Sequence, residues 1–397
     1  MLQCLTYREL GLNPSHYLEK IEKSRRSETL CLSQKGEFEQ NHNCGINSVD
    51  IDPVEGRYLL SCSSNAKILI HDTAMVYYKE KFKCDTVAKV EGGSRSNHKN
   101  SIETIQWYSE DTGMFLTSSS DRTLKVWDTN ALQVVESFGF EGIVYHHQIG
   151  RNSKKHCFVA VGCEDSRVYL CDLNTGSSTH VLRGHTSAVL SVAWSPTNQF
   201  LLATGSRDNK VLFWDIRKAS GSLSTLDQYN GKGGSSTLHT KTAHNGHVNS
   251  LVFTSNGLFL MTYGTDHRLR LWDTYSGKNT LVNYGRVSNP SRKSIQCAIT
   301  DGVSSDLIYV PSSTSINIFD VHSGRKASSL IGHYSNVTCC TFQQNYQVLF
   351  SGSNDCHLLS WIPNMERDKL DIGGEGLINE VKRKSDPFQD TWSSDED

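Results

Sequence analysis

Residues 184–215 read GHTSAVLSVAWSPTNQFLLATGSRDNKVLFWD, and this stretch decides the fold. It contains three short runs of apolar and β-branched residues, of which the first spans 189–194 and the last 211–214. Turn-forming residues separate the runs, Ser-Pro-Thr-Asn at 195–198 and Arg-Asp-Asn at 207–209. Runs of this length between such turns predict short antiparallel strands joined by tight connections.

The same pattern recurs along the chain. The closing tripeptide Phe213-Trp214-Asp215 returns as Val126-Trp127-Asp128 and Leu271-Trp272-Asp273, and weaker versions close at 72, 172, 320 and 362. Successive closing positions are 56, 44, 43, 58, 47 and 42 residues apart, which gives seven units with a basal period near 43 and two insertions. In five units a histidine precedes the closing position by 29 or 30 residues, and Asp or Asn follows that histidine at 22 or 23. A regular period of this length indicates a repeat architecture.

Four short strands in about 43 residues are typical of one β-propeller blade, and the G-H…W-D spacing resembles that of the WD-repeat family. The resemblance covers about residues 28–362 and implies one all-β domain, a seven-bladed WD-repeat β-propeller. The seventh unit runs into Pro363, which cannot continue a central ladder, so this unit lacks an outer strand. The alternating segment 29–33 has no blade of its own. We therefore expect it to complete the seventh blade and close the ring.

Composition argues against several classes of function. The 397 residues carry 40 Lys and Arg against 42 Asp and Glu, and this net charge of −2 argues against binding nucleic acid by bulk charge. No stretch approaches about 18 consecutive apolar residues, and the N-terminus lacks the features of a signal peptide, so we expect no membrane association. The twelve cysteines contain no C-x2-C pair, which fits a reducing compartment rather than a zinc site. His146-His147 and His156 also lack ligand spacing and are expected to be ordinary blade or loop residues.

The recurring histidine, aspartate and hydroxyl residues could be mistaken for a nucleophilic triad, such as His185, Asp208 and Thr204 or Ser206. An active site is normally single, whereas this set recurs with the repeat, so we interpret it as a buried hydrogen-bond chain in each blade. The run Gly231–Ser236 precedes another repeat rather than a helix, which argues against a phosphate-binding loop. We therefore expect no catalytic residue, no metal and no cofactor. The positions of the structural motif are His98, Asp121, Trp127, His185, Asp208, His244, Asp266, Trp272, His333, Asp355 and Trp361.

Segment 1–27 precedes the repeats and is predicted to form a helix–loop–helix, in which Asn13-Pro14 starts the second helix. This pair of helices either packs on the blades or docks into a groove of a partner. A second departure from the repeat follows Trp214-Asp215, where Ile216-Arg217 completes W-D-x-R on the bottom rim of the ring. The motif resembles that of WD-repeat receptors that dock on the adaptor of cullin-RING ligases. The predicted adaptor-binding residues are Leu2, Leu5, Arg8, Leu10, Tyr17, Leu18, Ile21, Trp214, Asp215 and Arg217.

Residues 363–397 are charged and then acidic, and we predict a disordered acidic C-terminal tail. The segment 386–397 reads DPFQDTWSSDED, with five acidic residues and with Phe388 and Trp392 four positions apart. Two aromatic residues in an acidic segment suggest an interaction peptide. Ser393 and Ser394 precede three acidic residues and are candidate phosphorylation sites.

Further stretches resemble one branch of the WD-repeat family, the substrate receptors of cullin-four-type RING ubiquitin ligases. The likeness includes IQWYSEDTGMFLTSSSDRTLKVWDTN at 105–130, LRLWDTYSGKNTLVNYG at 269–285 and the ending DTWSSDED. It implies a non-catalytic receptor in the nucleus, joined through the damaged-DNA-binding adaptor to cullin-four and a RING subunit. It further implies transcription-coupled nucleotide excision repair at stalled RNA polymerase II, with repair factors and the Cockayne syndrome group B ATPase as partners.

A receptor of this kind would hold its target on the top face, opposite the adaptor, and would act by raising effective concentration. In the first repeat, Asn65 and His71 replace the expected Asp and Trp, which questions the local blade geometry. The alternative function is a WD-repeat scaffold for another nuclear complex. The lack of a unique triad argues against a propeller hydrolase, and direct nucleic-acid binding is not expected. The predicted top-face residues are Asn47, Glu103, Ser120, Leu190, Arg207, Asn249, Thr265, Thr338 and Asn354.

Overall fold

A computed structural model describes residues 15–33, 36–39, 42–77, 82–93, 96–150, 157–218, 221–231, 241–301 and 305–364. Strands are numbered β1–β29 in chain order, and one α-helix, α1, spans Ser15–Glu28. A short 3-10 helix covers Ala74–Tyr77. The described helix α1, with 14 residues, is too short and too polar to cross a lipid bilayer.

Seven antiparallel sheets form the seven blades of a propeller, and the strands of each blade are given from the channel outwards. The first blade contains β3 (Ile46–Ile51), β4 (Tyr58–Ser63), β5 (Ile68–Asp72) and β7 (Thr86–Val90). The second contains β8 (Ile102–Trp107), β9 (Met114–Ser119), β10 (Thr123–Asp128) and β11 (Gln133–Gly139). The third contains β12 (Val144–Ile149), β13 (Phe158–Cys163), β14 (Arg167–Asp172) and β15 (Ser177–Arg183). The fourth contains β16 (Val189–Trp194), β17 (Leu201–Ser206), β18 (Val211–Asp215) and β19 (Ser224–Thr225).

The remaining three blades complete the ring. The fifth contains β20 (Val248–Phe253), β21 (Phe259–Gly264) and β22 (Leu269–Asp273). The sixth contains β23 (Ala298–Ile299), β24 (Leu307–Ser312), β25 (Ser315–Asp320) and β26 (Lys326–Ile331). The seventh contains β27 (Val337–Gln343), β28 (Val348–Ser353), β29 (Leu358–Pro363) and β1 (Leu30–Leu32). The structure thus confirms the predicted seven-bladed, nearly all-β fold.

The strand runs of the sequence become blades because their side chains are buried on both sheet faces. Every residue of β8 and of β16 is buried, as expected where one blade packs against the next. Side chains of one innermost strand also cap backbone groups of the next. Asp50 accepts a hydrogen bond from the amide of Trp107 (2.9 Å), and Gln106 accepts one from the amide of Ile149 (2.9 Å).

The ring is closed by the N-terminal strand, as predicted. β1 pairs with β29 in antiparallel register, with Leu30 opposite Pro363 and Leu32 opposite Trp361. Leu30 and Trp361 are buried in one cluster shared by the sixth and seventh blades. The edge that Pro363 would leave open is therefore paired and covered.

Strand direction defines two surfaces of the ring. The first and third strands of each blade run in the same direction, so all third strands end on one side, which we call the lower rim. The innermost strands begin on the opposite side, which we call the upper face. The lower rim therefore carries Asp72 of the first blade, Asp215 of the fourth and Asp273 of the fifth.

Two segments depart from the regular blade. In the fifth blade, residues 281–297 take the place of a full outer strand and run to the upper face; we call this segment the strap. In the first blade, an insertion contains β6 (Phe82–Cys84), which pairs in parallel with β2 (Gly36–Phe38). Phe38 packs edge-on against His71, the residue that replaces the expected Trp, with ring centroids 5.5 Å apart.

Candidate protein-interaction site

Four blades contain the predicted hydrogen-bond chain in full. In the fourth blade, Trp214 Nε1 donates to Thr204 Oγ1 (2.8 Å), Thr204 Oγ1 lies 2.8 Å from His185 Nε2, and His185 Nδ1 lies 3.0 Å from Asp208. The three remaining sets are His98, Thr117, Trp127 and Asp121; His244, Thr262, Trp272 and Asp266; and His333, Ser351, Trp361 and Asp355. The same geometry in four blades supports the structural interpretation of these residues.

The electrostatics fit ionised aspartates in these chains and neutral histidines in the fifth and seventh blades. Burial by itself would raise the pKa of Asp208, but hydrogen bonds from His185 and from two backbone amides outweigh it and lower the pKa. Burial lowers the pKa of His244 and of His333, despite their aspartate partners. A neutral imidazole donates from Nδ1 to the carboxylate and accepts at Nε2 from the hydroxyl, so every polar atom of the chain is satisfied.

The first blade departs from this arrangement, as the sequence indicated. Ser61 Oγ lies 2.8 Å from His42 Nε2 and 3.1 Å from His71 Nε2, so His71 takes the place of the indole. Asn65 does not replace the missing aspartate, because its side chain instead accepts a hydrogen bond from Ser63 Oγ (2.6 Å). Burial lowers the pKa of His42 to about 3 and that of His71 to about 4.

Arg217 of the W-D-x-R sequence lies on the lower rim with its side chain held in place. Its Nε and Nη2 donate to the two carboxylate oxygens of Asp215 at 3.0 and 2.7 Å, and its guanidinium carbon lies 4.5 Å from the centre of the Phe200 ring. The Arg217 side chain is 60% exposed. Trp214, by contrast, is buried in the hydrogen-bond chain, so of the predicted W-D-x-R residues only Asp215 and Arg217 reach the surface.

Helix α1 confirms the second helix of the predicted pair, whereas the first helix and its residues Leu2, Leu5, Arg8 and Leu10 lie outside the described residues. Tyr17 and Leu18 lie in α1, and Ile21 is exposed on it. The last turn is fixed to the sixth blade: Tyr309 donates to the Ser27 carbonyl (2.9 Å) and Ser328 to the Glu28 carbonyl (3.3 Å). These hydroxyls satisfy carbonyl groups that a helix end leaves free. Since Leu30 pairs with Pro363, the helix leaves the ring at the lower rim.

The predicted top-face residues belong to what we now call the upper face, and the structure exposes some of them and buries others. Leu190 and Asn249 are fully buried and Glu103 is nearly so, unlike the exposed positions that we expected. Asn47 is partly buried, and its Nδ2 donates to Ser101 Oγ and to the Ile102 carbonyl of the next blade. The predicted positions with accessible surface are Asn47, Ser120, Arg207, Thr265, Thr338 and Asn354. Whether a partner contacts these six residues stays a prediction.

The strap contacts two of the buried positions, Asn249 and Glu103. Asn249 Nδ2 donates to the carbonyls of Ser291 and Lys293, each at 3.0 Å, and thereby holds the strap over the fifth blade. Lys293 Nζ then reaches Glu103 Oε1 of the second blade at 2.9 Å. The sequence analysis did not predict that the strap crosses the channel. The signal for it in the sequence is the absence of an alternating fourth strand after Asp273.

The channel beneath the strap is a cavity of about 480 Å³, lined by polar and apolar residues in equal measure. Its wall includes His146 and His147 of β12, which the sequence predicted to be ordinary blade residues. His147 Nδ1 lies 2.7 Å from Thr104 Oγ1 and 2.9 Å from Ser118 Oγ, and burial lowers the pKa of His147 to about 3. His156 lies outside the described residues. Among the described residues no three His, Cys, Asp or Glu side chains come together as a metal site.

The cysteines of the described strands behave as the sequence indicated for small apolar residues. Cys171, Cys339 and Cys340 are buried, and burial raises the pKa of Cys171 and of Cys339 to about 12. A thiol with so high a pKa is not ionised at neutral pH and is a poor nucleophile.

The fold and its four hydrogen-bond chains define a WD-repeat β-propeller, a fold that typically serves as a non-catalytic scaffold or receptor. The sequence pattern of the WD domain, G-beta repeat, matches residues 92–128, 176–215, 235–273 and 324–361, which contain the four complete chains. WD repeat-containing protein ATCSA-1 of Arabidopsis thaliana is 33% identical over an alignment that covers 98% of this chain and 100% of the relative. The chain therefore belongs to the WD-repeat family.

Two further relatives align over shorter stretches. Radiation-sensitive protein 28 of Saccharomyces cerevisiae is 27% identical over 46% of this chain and 40% of the relative. Striatin-4 of Mus musculus is 27% identical over 67% of this chain and 36% of the relative. The chain spans less than half the length of these two proteins, whereas it matches the plant protein from end to end.

Proposed function

We propose that this chain is the substrate receptor of a cullin-four-type RING ubiquitin ligase and the counterpart of the Cockayne syndrome group A protein. The observation that carries the proposal is the exposed Arg217, which Asp215 fixes on the lower rim. The likeness to the plant relative supports it, because the alignment extends over the segments outside the repeats as well as over the blades.

The lower rim would hold the damaged-DNA-binding adaptor, and through it cullin-four and the RING subunit. Arg217 suits such a contact because its side chain is already ordered before binding. The ion pair with Asp215 and the stacking on Phe200 reduce the conformational entropy that an arginine loses on binding. Its Nη1 makes no hydrogen bond with the described residues and can donate to a partner. The exposed Ile21 on α1 offers an apolar contact at the same rim.

The upper face would hold the target protein. A ring of blades tied by buried hydrogen bonds keeps the two faces at a constant separation, so a target on one face stays near the ubiquitin-charged enzyme recruited on the other. The chain would perform no bond chemistry itself and would act by effective concentration. We place this activity in the nucleus, in transcription-coupled nucleotide excision repair at stalled RNA polymerase II, with the Cockayne syndrome group B ATPase and repair factors as partners.

The adaptor contact is tested by size-exclusion chromatography and binding titration with the purified adaptor. We expect co-elution of the full chain, and at least about tenfold weaker binding for Arg217→Ala and for a chain lacking residues 1–20. The matched control is Arg57→Ala, since Arg57 forms the equivalent two-bond ion pair with Asp72 on the lower rim of the first blade. Full binding by both altered chains would refute the docking surface. Failure of the unaltered chain to bind would favour a WD-repeat scaffold of another nuclear complex.

A further inference from the structure

The strap places positive charge on the upper face. Val287 and Asn289 are held to the fifth blade, since their amides donate to the carbonyl and to Nδ1 of His267 at 3.0 and 2.9 Å. On either side of these anchors, Arg286 and Arg292 are exposed. The strap is thus a rigid loop that presents two guanidinium groups to solvent.

The charge on this surface is not neutralised by its surroundings. Lys293 is paired with Glu103, but Arg286 and Arg292 have no ion-pair partner among the residues that the structure describes. Of the aspartates in the neighbouring upper turns, Asp266 is already paired with Arg270 at 2.8 Å, and Asp355 adds a single nearly buried carboxylate against the two exposed guanidinium groups. Exposed basic residues also stand in other turns of the upper face, namely Lys99, Arg122 and Arg268. An anionic ligand would therefore meet a surplus of positive charge around the strap.

We propose that the ligand of this surface is the acidic segment 386–397 of the same chain. The segment DPFQDTWSSDED carries five acidic residues and no basic one, which complements the strap. Its aromatic residues, Phe388 and Trp392, have a counterpart in Tyr334, which is 90% exposed in an upper-face loop of the seventh blade.

The connecting chain is long enough for this contact. The described residues end at Asn364, whose amide donates to the Thr29 carbonyl (3.1 Å) at the lower rim. The 21 residues from 365 to 385 span up to about 70 Å when extended. A blade of six-residue strands is only about 20 Å high, so the acidic segment can reach the upper face around the outside of the ring. Tethering raises its effective concentration there to the millimolar range, so weak affinity suffices.

The contact would cover the surface that the proposed receptor offers to its targets. A target would have to displace the segment, and targets with acidic, aromatic-containing sequences would compete best. This consequence depends on the proposed function, whereas the contact between the segment and the strap does not.

Hydrogen–deuterium exchange on the full-length chain tests the contact directly. We expect the amides of 286–296 to exchange about tenfold more slowly in the native chain than in a full-length variant with Asp390→Asn, Asp395→Asn, Glu396→Gln and Asp397→Asn. Raising the salt from about 50 to about 500 mM should abolish the difference, because the attraction between exposed charges is screened. Equal exchange in both chains at low salt would overturn the proposal.

A titration identifies the surface. The parent protein is the full-length variant with the four tail substitutions given above. Labelled peptide DPFQDTWSSDED should bind this parent at least about tenfold more tightly than it binds a chain that also carries Arg286→Glu and Arg292→Glu. The matched control carries Lys278→Glu and Lys326→Glu, two exposed positions near the lower rim, and should bind like the parent. Equal binding to all three chains, or to none, would contradict a site on the strap. Adaptor binding is measured on the same proteins, so failure of the proposed receptor role is recognised separately.

Discussion

The ammonium group of Lys293 lies 2.9 Å from the carboxylate of Glu103, and this ion pair joins the strap to the innermost strand of the second blade. The two side chains differ in solvent access, since Glu103 is 5% exposed and Lys293 is 52% exposed. Removal of the ammonium leaves a nearly buried carboxylate without its cation, whereas removal of the carboxylate leaves a lysine that water can solvate. Loss of the Lys293 side chain should therefore destabilise the folded chain more than loss of the Glu103 carboxylate.

This difference between the two side chains gives the first prediction. We expect Lys293→Met to lower the free energy of unfolding by about 1–2 kcal/mol, because a buried charge loses its partner, and Glu103→Gln to lower it by less. The double variant should recover part of the loss. Urea denaturation of the four proteins forms a double-mutant cycle, and a coupling energy near zero would show that the pair does not stabilise the ring.

The hydroxyl of Thr204 is the centre of the hydrogen-bond chain in the fourth blade. Thr204→Val keeps the shape but leaves Trp214 Nε1 and His185 Nε2 without their partner. Two unsatisfied buried groups should lower the free energy of unfolding by about 2–4 kcal/mol. Thr186→Val at an exposed position of the same blade is the control and should change it by less than about 0.5 kcal/mol. Similar losses in both variants would contradict a stabilising role of the hydrogen-bond chain.

Ring closure depends on the contact of Leu30 with the seventh blade. Leu30→Ala should lower the free energy of unfolding by about 2–3 kcal/mol, since it removes buried apolar surface beside Trp361 and loosens the β1–β29 pair. Ile331→Ala, on the exposed outer strand of the sixth blade, should have little effect. Thermal and urea unfolding of both variants check the difference, and equal stability of the two would argue against closure by β1.

The buried histidines should make stability depend on pH. Burial lowers the pKa of His71 to about 4 and that of His147 to about 3, below the value of about 6.5 in an unfolded chain. The unfolded state therefore binds protons first, so this contribution to stability is complete above about pH 6.5 and is lost as the pH falls towards 3–4. We expect a loss of about 2 kcal/mol for each of these histidines between about pH 7.5 and pH 5.

The aspartates of the hydrogen-bond chains act at lower pH. Hydrogen bonds lower the pKa of Asp208 and of Asp355 against the opposing effect of burial, so their contribution is complete above about pH 4 and is lost below it.

The histidine prediction is tested by urea denaturation at several pH values. The stability of His147→Gln should decline less steeply between pH 7.5 and pH 5 than that of the unaltered chain, whereas His180→Gln, at an exposed position, should decline like the unaltered chain. An unchanged slope for His147→Gln would exclude His147 as a source of the decline.

Much of the fold follows from the sequence because a blade is a local object. Strands β16, β17 and β18 are consecutive, joined by short turns, so their alternation and turn residues predict them nearly to the residue. The hydrogen-bond chain of His185, Thr204 and Asp208 is equally local, since its members recur at constant spacing. Even the pairing of β1 with β29 could be predicted, because a closed ring leaves no unpaired edge strand.

The upper face shows what that reasoning could not reach. Asn249 and Leu190 have the sequence position of exposed upper-face residues, yet both are buried. Asn249 is covered by the strap, a segment more than 30 residues further along the chain, and Leu190 packs against Tyr145 of the preceding blade. Repeat periodicity describes a residue's place in its own blade and contains no information about which distant segment covers it.

The sequence by itself determined the number of blades, the order of their strands, the closure of the ring and the buried hydrogen-bond chains, because these depend on neighbouring residues and on a constant period. Only the tertiary structure decided which surface residues are accessible. Arg217 is held by Asp215 and by Phe200, which lies on another turn of the same blade. Lys293, by contrast, reaches across the channel to Glu103, which lies 190 residues earlier in the sequence. The contact between Lys293 and Glu103 depends on the assembled ring, since only the closed propeller brings the strap and the second blade within hydrogen-bonding distance.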